Sequence, residues 1–265
     1  MEKDKKSQVF PDKTGNRHFE EKYVVIHGYS HSDLAKVLDN FKEALPEYIK
    51  LVYETRGMVT TITMQGLHES AETLRFKMNR LRQSLLDIFS EEVISTEKKT
   101  VAQILGQLLH ERELTVAFAE SCTGGNIAHR IVQVPGSSSY FLGSVVSYSN
   151  DVKANVLHVS RSTIEADGAV SKKVVEQMAE GVCKLMHADC SIATSGIAGP
   201  DGGTKFKPVG TVWFAVKCNE KMVTECVHFD GDRNEVIESA TNHGMVMLIN
   251  MLRNSYIMQE DFNDE

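Results

Sequence analysis

Apolar positions recur along this chain first as a short β-α-β-β-α series and then as a longer alternation of helix and strand. Residues 22–27 are an apolar run of strand length, and in 33–44 Leu34, Val37, Leu38 and Phe41 share one helical face. Ser32 is the expected cap of that helix and Pro46 its stop. Residues 48–53 and 59–64 are expected to pair as a hairpin turning at Arg56-Gly57. Leu74, Met78, Leu81, Leu85 and Ile88 then repeat at three and four, which predicts a long helix over 71–89. Residues 90–96 are short and polar and mark the expected boundary.

Beyond it the pattern predicts a helix over 101–109, a strand over 114–118 and a helix over 126–132, with Ile127, Ile131 and Val132 on its stripe. A strand at 141–148 and a short helix at 151–159 follow, then a helix over 172–187 capped by Ser171 and a buried-type strand at 190–194. Residues 210–216 and 222–229 form a hairpin, and 233–252 close the pattern as a helix. Met178, Met186, Met245, Met247 and Met251 lie in helical patterns and read as core. Helices interleaved with strands give an α/β fold, a three-layer α/β/α sandwich, and the final antiparallel hairpin makes its sheet mixed. The expected organisation is an arm at 1–20, a small α+β domain at 21–95, the sandwich at 96–258 and a tail at 259–265.

Composition narrows the class. At 42% hydrophobic and 25% charged, the 265 residues suffice for a real core. No apolar run reaches the roughly 18 residues of a membrane helix, and no apolar segment of signal-peptide type follows the charged first residues. Five cysteines, an odd number without close pairing, point to free thiols, and the cytoplasm is the expected compartment. The first 100 residues are balanced at 16 basic and 16 acidic side chains, so the remaining 13 against 20 supply the net −7. Neither part has the basic excess of a nucleic-acid binder, and the small domain lacks the Gly-x-x-Gly clamp of RNA-binding folds. The ten histidines are scattered, with no His-x-x-x-His within one predicted helix and no Cys-x-x-Cys, so no metal and no cofactor is expected.

The chemistry gathers at three places. In Ala119-Glu120-Ser121-Cys122-Thr123-Gly124-Gly125 an apolar strand runs straight into a helix start through a small, glycine-rich join. Such a join offers main-chain N–H groups to an anion or a developing oxyanion. For this stretch alone, Ser121 or Thr123 as a plain helix cap is the simpler reading. A second glycine-rich loop, Ser195-Gly196-Ile197-Ala198-Gly199-Pro200-Asp201-Gly202-Gly203, also follows a strand; it is either a long turn or the facing wall of one crevice. Neither loop has a dinucleotide or triphosphate signature. The third place is Ser147-Tyr148-Ser149-Asn150-Asp151-Val152-Lys153. With Asn150 as cap, Lys153 sits at the third helical position, at the wrong end of the dipole, which favours a neutral amine. A helix end contributes only about 0.3–1 kcal/mol, so desolvation must do most of the work of making Lys153 a base. Tyr148, at the strand end, would shield the amine or relay a proton. Serine, lysine and tyrosine converging there make a nucleophile that needs neither histidine nor metal.

Four ordered motifs then resemble one family. The Ser121 motif, Ser147-Tyr148-Ser149-Asn150-x-x-Lys153, Gly168-Ala169-Val170-Ser171 and the Ser195–Gly203 loop, followed by Lys207-Pro208-Val209-Gly210-Thr211-Val212, are similar to the CinA C-terminal family over about residues 97–254. The first 95 residues resemble, more weakly, the KH-like small domain of full-length CinA proteins, and nothing resembles their molybdopterin-binding-like domain. That family includes nicotinamide mononucleotide deamidases, cytoplasmic hydrolases of pyridine nucleotide salvage, and its habit implies a homodimer with no nucleic-acid or membrane partner. Carried over position by position, the resemblance makes Ser121 the nucleophile, Lys153 the base and Tyr148 its tyrosine. It puts Ser195 and Thr123 beside the substrate, with Gly124, Gly125, Gly196 and Gly199 in the substrate loops. Arg233, in Gly231-Asp232-Arg233, becomes the residue for the phosphate. Many relatives carry a second arginine shortly after, where Ile237 stands here. The implied reaction is attack by Ser121 on the carboxamide, with amides around Thr123–Gly125 holding the oxyanion, to give nicotinate mononucleotide and ammonia. Two other readings stay open: a regulatory nucleotide-binding module that has lost catalysis, and RNA binding through the small domain.

Overall fold

The structure is a computed structural model whose described residues are 17–260, and the chain divides into two units, Met1–Lys99 and Thr100–Glu265. In the first, β1 (His18–His27), α1 (His31–Glu43), β2 (Ile49–Arg56), β3 (Val59–His68), α2 (Ala71–Phe89) and β4 (Val93–Ser95) build an antiparallel sheet in the order β2-β3-β1-β4. Leu34 and Leu38 of α1 and Leu74, Met78, Leu85 and Phe89 of α2 close one core with Val24, Ile26, Ile49, Ile62 and Met64 of the strands.

Several local expectations shift. Strand β1 begins at His18, inside the stretch expected as an arm; residues 1–16 of that arm and 261–265 of the tail lie outside the described residues. Ser30, not Ser32, caps α1, because its hydroxyl accepts from the Asp33 N–H. The hairpin turns one residue later, at Gly57-Met58, both with positive φ (55° and 63°), as a two-residue turn between right-twisted strands requires. Ile88 is exposed and Phe89 takes the buried place, four residues after Leu85. The polar stretch after α2 is not a bare connection: Val93–Ser95 pairs with β1.

The second unit has the three layers that the alternation predicts. It comprises α3 (Val101–Glu111), β5 (Val116–Glu120), α4 (Asn126–Val132), β6 (Phe141–Val146), α5 (Asn150–Val156), α6 (Arg161–Asp167), α7 (Lys172–Met186), β7 (Cys190–Gly196), β8 (Thr211–Cys218), β9 (Lys221–His228) and α8 (Arg233–Glu260). The sheet order is β6-β5-β7-β8-β9, with β5, β6 and β7 parallel and β8 and β9 antiparallel. Helix α7 covers one face, where small Ala117, Ala119, Ala193 and Ala215 let Val174, Val175, Met178 and Val182 pack closely. On the other face Gly244 of α8 lies against Ile192 and Phe214. Val132 is exposed, so the α4 stripe is carried by Ile127 and Ile131 alone.

Register is what builds the site. Glu120, the last residue of β5, lies opposite both Val146 of β6 and Thr194 of β7. The chains that leave these parallel strands therefore emerge side by side at their carboxyl ends, where open α/β sheets bind ligands. The Ser121 N–H donates to Thr194 O at 3.0 Å, and the Ser147 N–H donates to Glu120 O at 2.8 Å, extending the pairing one step past the strands.

Candidate active site

Ser121 follows β5 directly and is buried, with 8% of its surface exposed. Lys153 comes from α5, which starts three residues after Ser147, so its side chain reaches back to the strand ends. Lys153 is 1% exposed, among the most buried large side chains of the molecule. Its Nζ lies 3.1 Å from Ser121 Oγ and donates to Ser147 O at 2.7 Å. No carboxylate pairs with it among the described residues.

Burial in that setting lowers the Lys153 pKa, since the ammonium loses its water and gains no counter-ion. A thiolate at neighbouring Cys122 would act the other way. Burial, however, pushes that thiol up to about 12, so it is uncharged wherever an enzyme works. The desolvation of Lys153 therefore acts unopposed near neutral pH. The expected cap needs correction: Ser149 caps α5 by accepting from Val152 N–H, which moves Lys153 to the fourth of seven helical positions. There the helix dipole contributes little, and burial is the main cause of the lowered pKa. A neutral amine has a lone pair with which to accept the serine proton across the 3.1 Å that separates the two atoms.

The main-chain donors differ from those expected. Gly124 N–H donates to Ser121 O at 3.1 Å and Gly125 N–H to Glu120 Oε2 at 3.0 Å, so both amides serve the turn itself. The amides of Cys122 and Thr123 hydrogen-bond no other residue among the described ones. They are the donors left for an oxyanion on a carbonyl attacked by Ser121. A Cβ on Gly124 would meet nothing within 4 Å, so open space borders the turn. Thr123 is buried, its Oγ1 donating to Glu120 Oε2 at 2.8 Å and lying 2.9 Å from Thr194 Oγ1.

The other sequence-derived residues fall into two groups. Ser195 Oγ donates to Ala169 O at 2.8 Å, which ties the Gly168–Ser171 loop to β7. Ser171 takes the N-cap place of α7, yet its hydroxyl donates back to Gly168 O at 2.8 Å. Lys207 clamps the same loop, donating to Asp167 O and Val170 O at 3.0 and 2.8 Å. Gly196 is needed for packing, because a Cβ there would lie 2.6 Å from Val212 Cγ2. Tyr148 is 62% exposed and does not cover Lys153. Its phenol oxygen instead accepts from Arg233 Nη2 at 3.1 Å, while Arg233 Nη1 donates to Gly199 O at 2.6 Å.

Ser121 and Lys153 are thus in contact, Thr123 follows in the same turn, and Tyr148, Arg233 and Gly199 form a second cluster. Glu120, Ser147 and Thr194 are site residues that the pattern of the sequence did not single out. The available signal was for Glu120: a carboxylate ending an otherwise apolar strand, immediately before a helix start. A cavity of about 260 Å³ lies elsewhere, lined by Thr100, Gln103, Arg130, Asn242 and Met245 among others. No group of three or more His, Cys, Asp or Glu side chains suited to a metal occurs among the described residues, and no helix among them is long and apolar enough to cross a membrane.

Comparison with known proteins agrees with this architecture. The CinA C-terminal domain family matches residues 98–252. A CinA-like protein of Cytophaga hutchinsonii is 36% identical over 207 residues, covering 78% of this chain and 50% of the relative. One of Flavobacterium psychrophilum is 36% identical over 238 residues, 89% of this chain and 56% of the relative. A putative competence-damage inducible protein of Halothermothrix orenii is 34% identical over 230 residues, 86% and 55%. The chain spans about half the length of these curated relatives. Among solved structures, a CinA superfamily protein of Klebsiella pneumoniae superposes with a TM-score of 0.57 at 35% identity, covering 58% of this chain and 96% of its own. A competence/damage inducible protein of Agrobacterium tumefaciens gives 0.55 at 33%, covering 60% and 99%.

Proposed function

The chain belongs to the CinA C-terminal domain family, and from that premise we propose that it is an amidohydrolase that deamidates nicotinamide mononucleotide to nicotinate mononucleotide and ammonia. The observation that carries this reading is the buried Lys153 amine 3.1 Å from Ser121 Oγ. A lysine 1% exposed and paired with no carboxylate among the described residues is costly to bury, and its chemical return is a base able to take a serine proton.

In this mechanism neutral Lys153 accepts the Ser121 proton as Oγ attacks the carboxamide carbon. The carbonyl oxygen takes the negative charge and is met by the Cys122 and Thr123 amides. The Lys153 ammonium returns its proton to the departing nitrogen, the C–N bond breaks, and ammonia leaves a nicotinyl ester on Ser121. Water, losing a proton to Lys153, attacks that ester; the acid is released and the Ser121 hydroxyl is restored. Arg233 supports the phosphate part of the reading. Both of its hydrogen-bond partners are neutral oxygens, and no carboxylate pairs with it among the described residues, so its charge is left for a phosphate. The cytoplasm is the compartment this reaction and five free thiols suit. A homodimer is part of the same proposal.

The test is ammonia release from nicotinamide mononucleotide by the wild type beside Ser121→Ala and Lys153→Ala. Turnover by the wild type and none by either folded variant is expected. Near-normal release by either variant removes that residue from the mechanism, and a silent wild type favours the regulatory module.

A further inference from the structure

Glu120 is fully buried, and every group that hydrogen-bonds its carboxylate is a donor. Oε2 accepts from Thr123 Oγ1 at 2.8 Å, from Gly125 N–H at 3.0 Å and from Ile127 N–H at 3.1 Å. Oε1 accepts from Ala128 N–H and Ser144 Oγ, both at 3.0 Å. No lysine, arginine or histidine pairs with it among the described residues. Three of the five are main-chain N–H groups that can only donate, and they reach both carboxylate oxygens. The first turn of α4 is thereby filled by the protein's own carboxyl group.

The same residue is joined to the reacting group through one peptide bond. Its carbonyl accepts from Ser147 N–H at 2.8 Å, and the Ser147 carbonyl in turn receives the Lys153 amine at 2.7 Å. Neither Glu120 oxygen hydrogen-bonds Ser121 or Lys153, and both are saturated, so the carboxylate is no proton carrier. What it does hold is the path of the chain from Ser121 to Ala128. Oxyanion donors work only when fixed before the charge develops.

We propose that Glu120 is a positioning residue: it gathers Thr123, Gly125, Ile127, Ala128 and Ser144, so that the turn presents Ser121 to Lys153 and keeps the Cys122 and Thr123 amides for the oxyanion. This rests on the amidase reading above. It assigns the buried carboxyl group a role in the transition state and none in binding the substrate.

Glu120→Gln tests it. In either orientation the amide NH₂ meets main-chain N–H groups, at Gly125 and Ile127 or at Ala128, so the turn must move. With circular dichroism and the melt near wild type, kcat on nicotinamide mononucleotide is expected to fall about 100-fold, the size of one lost oxyanion donor, with KM changed less than about twofold. A fluorophosphonate, which reports Ser121 reactivity without any amide substrate, should label the variant more slowly by a similar factor, read by intact mass. A folded variant with kcat within about threefold of wild type, or a loss confined to KM, overturns the proposal. Where Glu120→Gln does not fold, Ser144→Ala carries the test, because it removes one donor from β6 and leaves the turn's own residues in place. A kcat lowered several-fold at constant KM supports positioning, and an unchanged kcat overturns it. Wild type that is labelled at Ser121 yet releases no ammonia loses the substrate, not the positioning role, which the labelling rates then decide.

Discussion

Arg233 donates to the phenol oxygen of Tyr148 across 85 residues of sequence, at 3.1 Å, and fixes its other terminal nitrogen on the carbonyl of Gly199. The start of α8, the loop after β6 and the loop after β7 are thereby tied together. Tyr148 thus stands with the arginine, away from the amine that it was expected to shield. Tyr148→Phe removes one hydrogen bond to a guanidinium, worth about 1.5 kcal/mol at this exposed position, so KM for nicotinamide mononucleotide should rise roughly 10-fold while kcat stays near wild type. Steady-state kinetics separate the two; a kcat loss at constant KM would instead make Tyr148 the proton relay.

Arg233→Ala should act in the same parameter and more strongly. An arginine–phosphate contact is charge-assisted, and its loss is expected to raise KM about 10- to 100-fold. The ribonucleoside, which has no phosphate, should show no such difference between wild type and variant. Comparing the two substrates on both proteins checks whether Arg233 reads the phosphate.

The depressed Lys153 pKa fixes the sign of two pH effects. The base must be neutral, so kcat/KM should rise with pH along a limb centred below lysine's ordinary 10.5. Cys122→Ala should keep that limb, since its thiol, pushed up to about 12, remains neutral across it. For stability, the unfolded chain binds the lysine proton more readily than the folded one. The penalty for burying Lys153 is full below its folded pKa and disappears as pH rises to the unfolded value. Lys153→Met should therefore stabilise the second unit at neutral pH and lose that advantage toward pH 10, as read by denaturant titration at several pH values.

Much of this was legible in the chain because it depends on period. The order of the strands in the second unit and of its helices other than α6, the mixed sheet and the place of Ser121 between β5 and α4 all follow from apolar spacing and glycine. Helix α6 (Arg161–Asp167), whose residues are half-buried or exposed, has no apolar stripe to announce it. Contacts set by register are another matter. That Glu120 faces both Val146 and Thr194 is a property of three strands at once, and it makes Ser147 and Thr194 part of the site. The commitment of the Gly124 and Gly125 amides also escapes sequence, because the acceptors lie within the turn itself. Ser149 in place of Asn150 is a one-residue shift of the usual kind at a helix end, yet it changes the reason for the lowered lysine pKa.

Tyr140 offers a stability prediction away from the chemistry. Its hydroxyl is buried without a hydrogen-bond partner, and the burial raises its pKa. Tyr140→Phe removes a polar group that gains nothing from its surroundings and should stabilise the fold by about 1 kcal/mol in a thermal or urea melt. Gly106→Ala should do the reverse. Alanine normally gains about 1 kcal/mol over glycine within a helix, but here its Cβ would lie 2.3 Å from the Tyr140 oxygen.

Gly181 links helix packing to the reaction from a distance. A Cβ at this position of α7 would lie 2.1 Å from the carbonyl oxygen of Leu157, a main-chain atom that no rotamer change can move aside. Leu157 is the C-cap of α5, the seven-residue helix that carries Lys153. Gly181→Ala must therefore push α5 or α7 outward, at a cost of about 1–3 kcal/mol. If α5 yields, Lys153 Nζ leaves its 3.1 Å contact with Ser121, and a displacement of about 1 Å is enough to cost roughly 100-fold in rate. The expected result is a lower melting temperature together with a reduced kcat, while KM, assigned to Arg233, changes little. A melt lowered with kcat intact would show that α7 gives way instead and that Lys153 is held by its bond to Ser147.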